Sequence, residues 1–178
     1  GQDDNDPYPR EDASSNGGWA HGTHVAGILA ATTDNNLGMA STAFNASIMS
    51  VKVSRSSQST DPGINDGYAG ILYAAKAGYY AEGFSIINNS WGTDTSCTSE
   101  SNCRSTIGTA LFDNWEDTAQ LSTPKISVFA AGNDGDSEPS AECQTMKYNS
   151  DINKVSVCVV AASFSANGSG NSQGKGLL

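Results

Sequence analysis

The chain's 2 histidines both fall in Trp19-Ala20-His21-Gly22-Thr23-His24-Val25-Ala26-Gly27. Imidazole is the side chain whose ordinary titration lies nearest neutrality, so His21 can act as a general base. Gly17 and Gly18 loosen the approach, and Thr23 to Ala31 is small, apolar and free of proline. This pattern predicts a glycine-rich loop turning into a helix at His21. A helix N-terminus carries unpaired N–H groups and a positive dipole end, surroundings that suit a neutral imidazole able to take a proton. Gly22 and Gly27 would let another backbone approach that helix closely. His21 and His24 lie three residues apart and share a helical face, so they could instead share a metal. The zinc-protease arrangement places its histidines at i and i+4 with a glutamate between, and Gly22-Thr23 supplies no carboxylate.

Two further stretches deliver polar groups from apolar runs. Phe84-Ser85-Ile86-Ile87-Asn88-Asn89 leads into Ser90-Trp91-Gly92, and Lys125 to Phe129 leads into Ala130-Ala131-Gly132-Asn133. Each reads as a buried strand running into a loop. In open α/β sheets, functional groups gather at such carboxyl ends. The Asn133 amide could donate a hydrogen bond to an oxyanion, an interaction that lowers a barrier by roughly 3 kcal/mol. Alone, Ser90 to Gly92 reads as well as an ordinary strand exit with a core tryptophan, and Asn133-Asp134-Gly135 as a turn.

His21 to Gly27 resembles the segment around the catalytic histidine of subtilisin-like serine proteases, the subtilases. The resemblance makes His21 the general base and His24 a structural residue packed beneath the site. Asn89-Ser90-Trp91-Gly92 is similar to the family segment that pairs with the substrate backbone as an added strand. By that match Ser90, Trp91 and Gly92 line the cleft. Ala130-Ala131-Gly132-Asn133 is similar to the family's Ala-Ala-Gly-Asn, which implies Asn133 as oxyanion donor. Ala130, Ala131 and Gly132 would then form the other wall of the primary specificity pocket, open enough for large apolar or aromatic side chains. The three segments occur in the family's order and near its spacing, and the resemblance covers nearly the whole chain.

Two parts of the family pattern find no match. The acidic triad member belongs on an upstream strand in an Asp-Thr/Ser-Gly setting, and Asp3 to Asp12 fall too close to His21 without that setting. The nucleophile belongs in Gly-Thr-Ser-Met/Ala-Ala-x-Pro, while Ser163, Ser165, Ser169 and Ser172 sit in a loop-like stretch with no helix after them. The chain is therefore expected to be an internal fragment of a serine endopeptidase catalytic domain, inactive alone because it lacks the attacking serine and the triad aspartate. Gly1-Gln2-Asp3-Asp4 shows no basic leader and no apolar signal core, as expected of a processed chain or one cut from a longer precursor. The alternative is a noncatalytic module that holds extended peptides at Ser90 to Gly92. Retention of His21 and Asn133 favours the peptidase.

These residues need a scaffold. Alternation over residues 46–53, with Val51-Lys52-Val53 similar to the end of a family strand, predicts a strand. Apolar residues three and four apart predict a helix over 68–77, stopped by Gly78 or Gly83. Ile107, Leu111, Trp115 and Ala119 predict one amphipathic helix from Ser105 to Gln120. A last buried strand is predicted over 154–162. Strands alternating with helices give an α/β fold in three layers, a mainly parallel sheet with helices on both faces, a partial subtilisin-like fold. All 178 residues are assigned to one domain, with residues 1–18 an acidic surface loop and 163–178 a Gly/Ser-rich tail. Absent parts of the same domain, or another copy, would cover the apolar edges such a fragment bares.

The totals narrow the partners. With 9 Lys plus Arg against 19 Asp plus Glu, the net charge is −10. Such a surface repels phosphates, which argues against nucleic acid and anionic membranes. No apolar run approaches the ~18 residues of a membrane helix. The substrate implied by the resemblance is polypeptide. The 4 cysteines, at 97, 103, 143 and 158, form no C-x-x-C pair, so zinc is disfavoured and two disulfides are expected. Three connectivities are open, proximity favouring 97–103 with 143–158; four free thiols remain an alternative. Disulfides imply an oxidising compartment, hence secretion. The expected chemistry needs no cofactor. Asp34, Asn35 and Asn36 offer oxygen ligands suited to structural calcium, although turns favour these residues anyway.

Overall fold

A computed structural model describes residues 17–54, 63–93, 95–132 and 138–159, and the backbone of 163–164 and 170–171. The chain separates into two units, Gly1–Gly67 and Tyr68–Leu178. Most of the expected acidic loop (residues 1–16) lies outside the described residues, while Gly17 and Gly18 are already helical.

In the first unit, helix α1 spans Gly17–Ala30. A later loop satisfies its terminal carbonyls: Thr42 N–H donates to Ile28 O at 3.0 Å and Ala43 N–H to Leu29 O at 2.8 Å. Residues 46–53, expected as a strand, form none. A strand exists only through its ladder, and no segment pairs with this one among the described residues. Val53 O instead accepts two turn bonds, from Asn65 and Asp66 N–H, both at 3.1 Å. Ile48 and Met49 stay exposed.

In the second unit, helix α2, Gly67–Glu82, runs past the expected end near residue 77. Gly78 does not stop it, and the helix ends where Gly83 N–H bonds Tyr79 O at 2.8 Å. Gly78 serves close approach instead, since a Cβ there would lie 2.3 Å from Ser85 Oγ. That hydroxyl donates to Ala74 O and Ala75 O, tying α2 to the strand that follows.

Strands β1 (Ser85–Asn89), β2 (Lys125–Ala130) and β3 (Ser156–Val159) form a parallel sheet in that order. Ser85 pairs with Lys125 and Asn89 with Phe129, so β1 and β2 reach the same carboxyl rim together. The α/β class and parallel sheet agree with the sequence. Ile87 and Phe129 point to the buried face, where Trp115 meets Phe129 at 5.0 Å between ring centroids. On the other face Ile86 is 70% exposed, Ile126 36% and Val159 51%. The unit's aromatic core therefore lies on one side of its sheet.

The single helix expected over 105–120 is two, α3 (Glu100–Ile107) and α4 (Thr109–Gln120). Gly108, at φ 99°, separates them in a conformation that side-chain-bearing residues avoid. Ser99 caps α3 by accepting from Asn102 N–H. Two helices were not anticipated, α5 (Ala141–Tyr148) and α6 (Ser150–Lys154). The strand expected from Lys154 starts only at Ser156, because residues 150–154 are helical. Within the tail, Ser163–Phe164 (β4) and Gly170–Asn171 (β5) form a two-residue antiparallel pair. Both favoured disulfides are present, Cys97–Cys103 and Cys143–Cys158.

Candidate active site

The site is best built from the rim where β1 and β2 end. Ser90-Trp91-Gly92 leaves β1 and Ala131-Gly132 leaves β2, from neighbouring strands in register. The sequence-predicted substrate-binding residues Ser90, Trp91, Gly92, Ala130, Ala131 and Gly132 are thus gathered at one edge of the second unit. Asn88 Nδ2 donates to Ser90 Oγ at 2.8 Å. Gly92 is exposed, while Trp91 is half-buried and turns its ring onto Tyr68 and Phe129, at centroid distances of 5.3 and 5.7 Å. This tryptophan stands at the strand exit and packs into the aromatic core, as the ordinary reading of the segment has it.

The N-terminus of α5 holds the two exits. Ser140 N–H donates to Ala131 O at 3.0 Å, and Ser140 Oγ to Ala130 O at 3.3 Å. Ala141 N–H donates to Thr93 O at 3.1 Å. The carboxylate of Glu142 takes the rest of Thr93: Oε2 accepts its backbone N–H and Oε1 its hydroxyl, both at 2.9 Å. Tyr68 O–H donates to Oε1 at 2.6 Å. Burial first, and then the negative charge of Glu142, push the Tyr68 phenol well above its usual range, so it remains a donor. Gly92 lies against this clamp, since a Cβ on it would come within 3.0 Å of Ser140 Cβ and 3.3 Å of Glu142 Oε2.

The same helix fixes the neighbouring loop. Gln144 Oε1 accepts from Cys97 N–H at 3.1 Å, and Cys143 is bridged to Cys158 on β3. Sequence reasoning missed Tyr68, Thr93, Ser140 and Glu142 altogether. Pro139-Ser140 ahead of Ala141-Glu142 was the available helix-start signal, but the Ser140 hydroxyl turns to Ala130 O and makes no cap bond.

The remaining predicted residues lie in the first unit or outside the described residues. His21 belongs to the first unit, where it is exposed on α1. It was expected at the start of the helix, but α1 begins at Gly17 and puts His21 in the second turn. The helix dipole acts only weakly there, because its field falls off within the first turn. His24, expected beneath the site, is also exposed. Asn133, the expected oxyanion donor, lies outside the described residues.

Among the described residues no three His, Cys, Asp or Glu side chains gather as a metal set. In the turn considered for calcium, Asn35 Oδ1 already accepts from Leu37 N–H at 3.0 Å. Asp34 is the one carboxylate of that turn. Among the described residues no helix is long and apolar enough to cross a membrane.

Comparison with known proteins supplies the context for this rim. The model of the Subtilase family matches residues 1–174. The chain is 38% identical over 118 residues to the thermophilic serine proteinase of Bacillus sp. (strain AK1), covering 66% of this chain and 24% of that protein. It is 43% identical over 76 residues to thermitase of Thermoactinomyces vulgaris, covering 42% of this chain and 24% of the other. It is 29% identical over 160 residues to proprotein convertase subtilisin/kexin type 5 of Rattus norvegicus, covering 90% of this chain and 8% of the other. The chain thus spans a quarter or less of the length of these relatives. No solved structure matches it at comparable stringency. With a family match over all but the last residues, added to strand exits that pair at one rim, the chain belongs to the subtilase family.

Proposed function

We propose that the protein carrying this chain is a secreted serine endopeptidase that hydrolyses peptide bonds by acyl transfer through a Ser/His/Asp triad. In this reading His21 takes the proton of the attacking serine hydroxyl and returns it to the leaving amine. The Asn133 amide stabilises the oxyanion that forms at the scissile carbonyl. An extended polypeptide lies along Ser90-Trp91-Gly92 as an added strand, with Ala130, Ala131 and Gly132 as the opposite wall of its pocket. The reaction requires no cofactor. Triad aspartate and serine are not recognisable within residues 1–178, so this chain alone is expected to be inactive.

The observation that carries this reading is the register of Asn89 with Phe129, which brings the two motif-bearing exits out side by side. Two disulfides support an oxidising compartment. The test is to treat the full-length protein with a serine-directed phosphonate and locate the adduct. A labelled serine in a Gly-Thr-Ser context, together with loss of labelling in His21→Ala, is the expected result. Absence of any labelled serine would overturn the peptidase reading in favour of a peptide-binding module.

A further inference from the structure

We propose that Glu142 is a positioning residue for peptide docking, acting through Thr93 on the Ser90–Gly92 wall; this role rests on the peptidase reading. Glu142 is wholly buried, and its three polar partners, Tyr68 O–H, Thr93 N–H and Thr93 O–H, are neutral donors. A buried carboxylate is a costly way to hold a helix, and an apolar side chain of similar volume often serves stability as well or better. What the carboxylate adds is direction. Two of its bonds converge on the residue next to Gly92, and the third holds the ring on which Trp91 packs. The wall is therefore held from its end and from beneath by one side chain.

The opposite wall is held from two residues away. Ser140 binds the carbonyls of Ala130 and Ala131, while Ala141 N–H binds the carbonyl of Thr93. Ser140, Ala141 and Glu142 thus set the spacing between the two strand exits. A peptide adding as a strand along one wall and inserting a side chain beside the other depends on that spacing. Short substrates that use only the reacting centre do not.

The experiment uses the full-length protein carrying this chain, with Glu142→Gln, Glu142→Ala and Thr93→Ala. Active sites are first counted with the serine-directed phosphonate, and thermal unfolding is recorded for each variant. Unlabelled enzyme, at the active-site concentration so determined, is then assayed on a hexapeptide anilide and on a single-residue ester. For Glu142→Gln the expected result is unfolding close to the parent, with KM for the hexapeptide raised about tenfold, the equivalent of one charge-assisted hydrogen bond. The ester KM and kcat stay unchanged. Thr93→Ala shifts the hexapeptide KM the same way by less, and decides the matter should Glu142→Ala fail to fold. Equal changes on both substrates, or none, in properly folded variants would overturn the positioning role alone. Failure of the parent to take up phosphonate would instead sink the peptidase reading. Hexapeptide binding followed by tryptophan fluorescence, compared between parent and Glu142→Gln, then decides the role of Glu142 by itself.

Discussion

Glu142 meets Thr93 twice: Oε2 accepts the backbone N–H and Oε1 accepts the hydroxyl, each at 2.9 Å. Residues 49 apart in sequence are joined by both oxygens of one carboxylate. This pair connects a helix of no evident chemistry to the edge where a substrate would lie.

The first prediction concerns stability. Glu142→Ala takes the carboxylate acceptor away from part-buried Thr93 N–H and buried Tyr68 O–H, at about 1–3 kcal/mol for each group left unpaired. A loss of about 3 kcal/mol or more is expected in urea unfolding of the chain. Glu142→Gln keeps an oxygen for Thr93 N–H and offers its NH2 to the two hydroxyls, which can accept as well as donate. Its loss should stay below about 1.5 kcal/mol.

A second prediction follows from Tyr68. Its folded phenol titrates well above the ordinary 10.0, because of burial and then the nearby charge of Glu142. Above that ordinary value the unfolded chain gives up a proton that the folded chain retains. Stability is therefore fully present below about pH 10 and falls as pH rises beyond it. The expected slope is about 1.4 kcal/mol per pH unit. Tyr68→Phe has no such proton, so chemical unfolding between about pH 10 and 11 should show a flatter decline for the variant. Parallel slopes would contradict this.

Gly92 offers a third test. An alanine Cβ there would sit 3.0 Å from Ser140 Cβ, a side chain whose hydroxyl and backbone are both engaged. Neither neighbour can yield without loosening the clamp. Gly92→Ala is expected to destabilise by roughly 1–3 kcal/mol, as overpacking does. Alanine at Gly22, where nothing lies within 4 Å, should leave the thermal midpoint unlowered and serves as the control.

The disulfides should differ in weight. Cys143–Cys158 closes a loop of sequence separation 15, and Cys97–Cys103 one of 6. Loop-closure entropy assigns about 3 kcal/mol to the longer and about 2 to the shorter. Replacing Cys143 and Cys158 with alanine should lower the denaturant midpoint further than replacing Cys97 and Cys103. The reverse order would show that local packing, not chain entropy, governs these bonds.

The strands β1 and β2 were legible because each is a short apolar run ending in polar residues. The disulfide pairing was legible from proximity, and the position of Ser90 to Gly92 and Ala130 to Gly132 at strand ends from the apolar runs that precede them. Helix α5 was not, and its composition explains why. Ala141 to Met146 are all buried, yet Glu142, Gln144 and Thr145 among them are polar. Each is satisfied by a specific distant or local partner: Glu142 by Thr93, Gln144 by Cys97, Thr145 by Ala141 O. Hydrophobic periodicity cannot detect a helix buried through hydrogen bonds. The opposite error occurred at residues 46–53, where alternation was present but no partner strand stands beside it among the described residues. At residues 105–120 the four-residue spacing continued across Gly108 although the helix did not, because spacing carries no information about one backbone angle.

The outward face of the sheet has a practical consequence. Ile86 and Ile126 are register partners there, and Val159 stands farther along the same side. Water gains by leaving such a strip, so molecules of the isolated chain should attract one another despite their shared negative charge. Light scattering would register this as a negative second virial coefficient, growing more negative with added sulfate. Replacing Ile86 with lysine should move it toward zero.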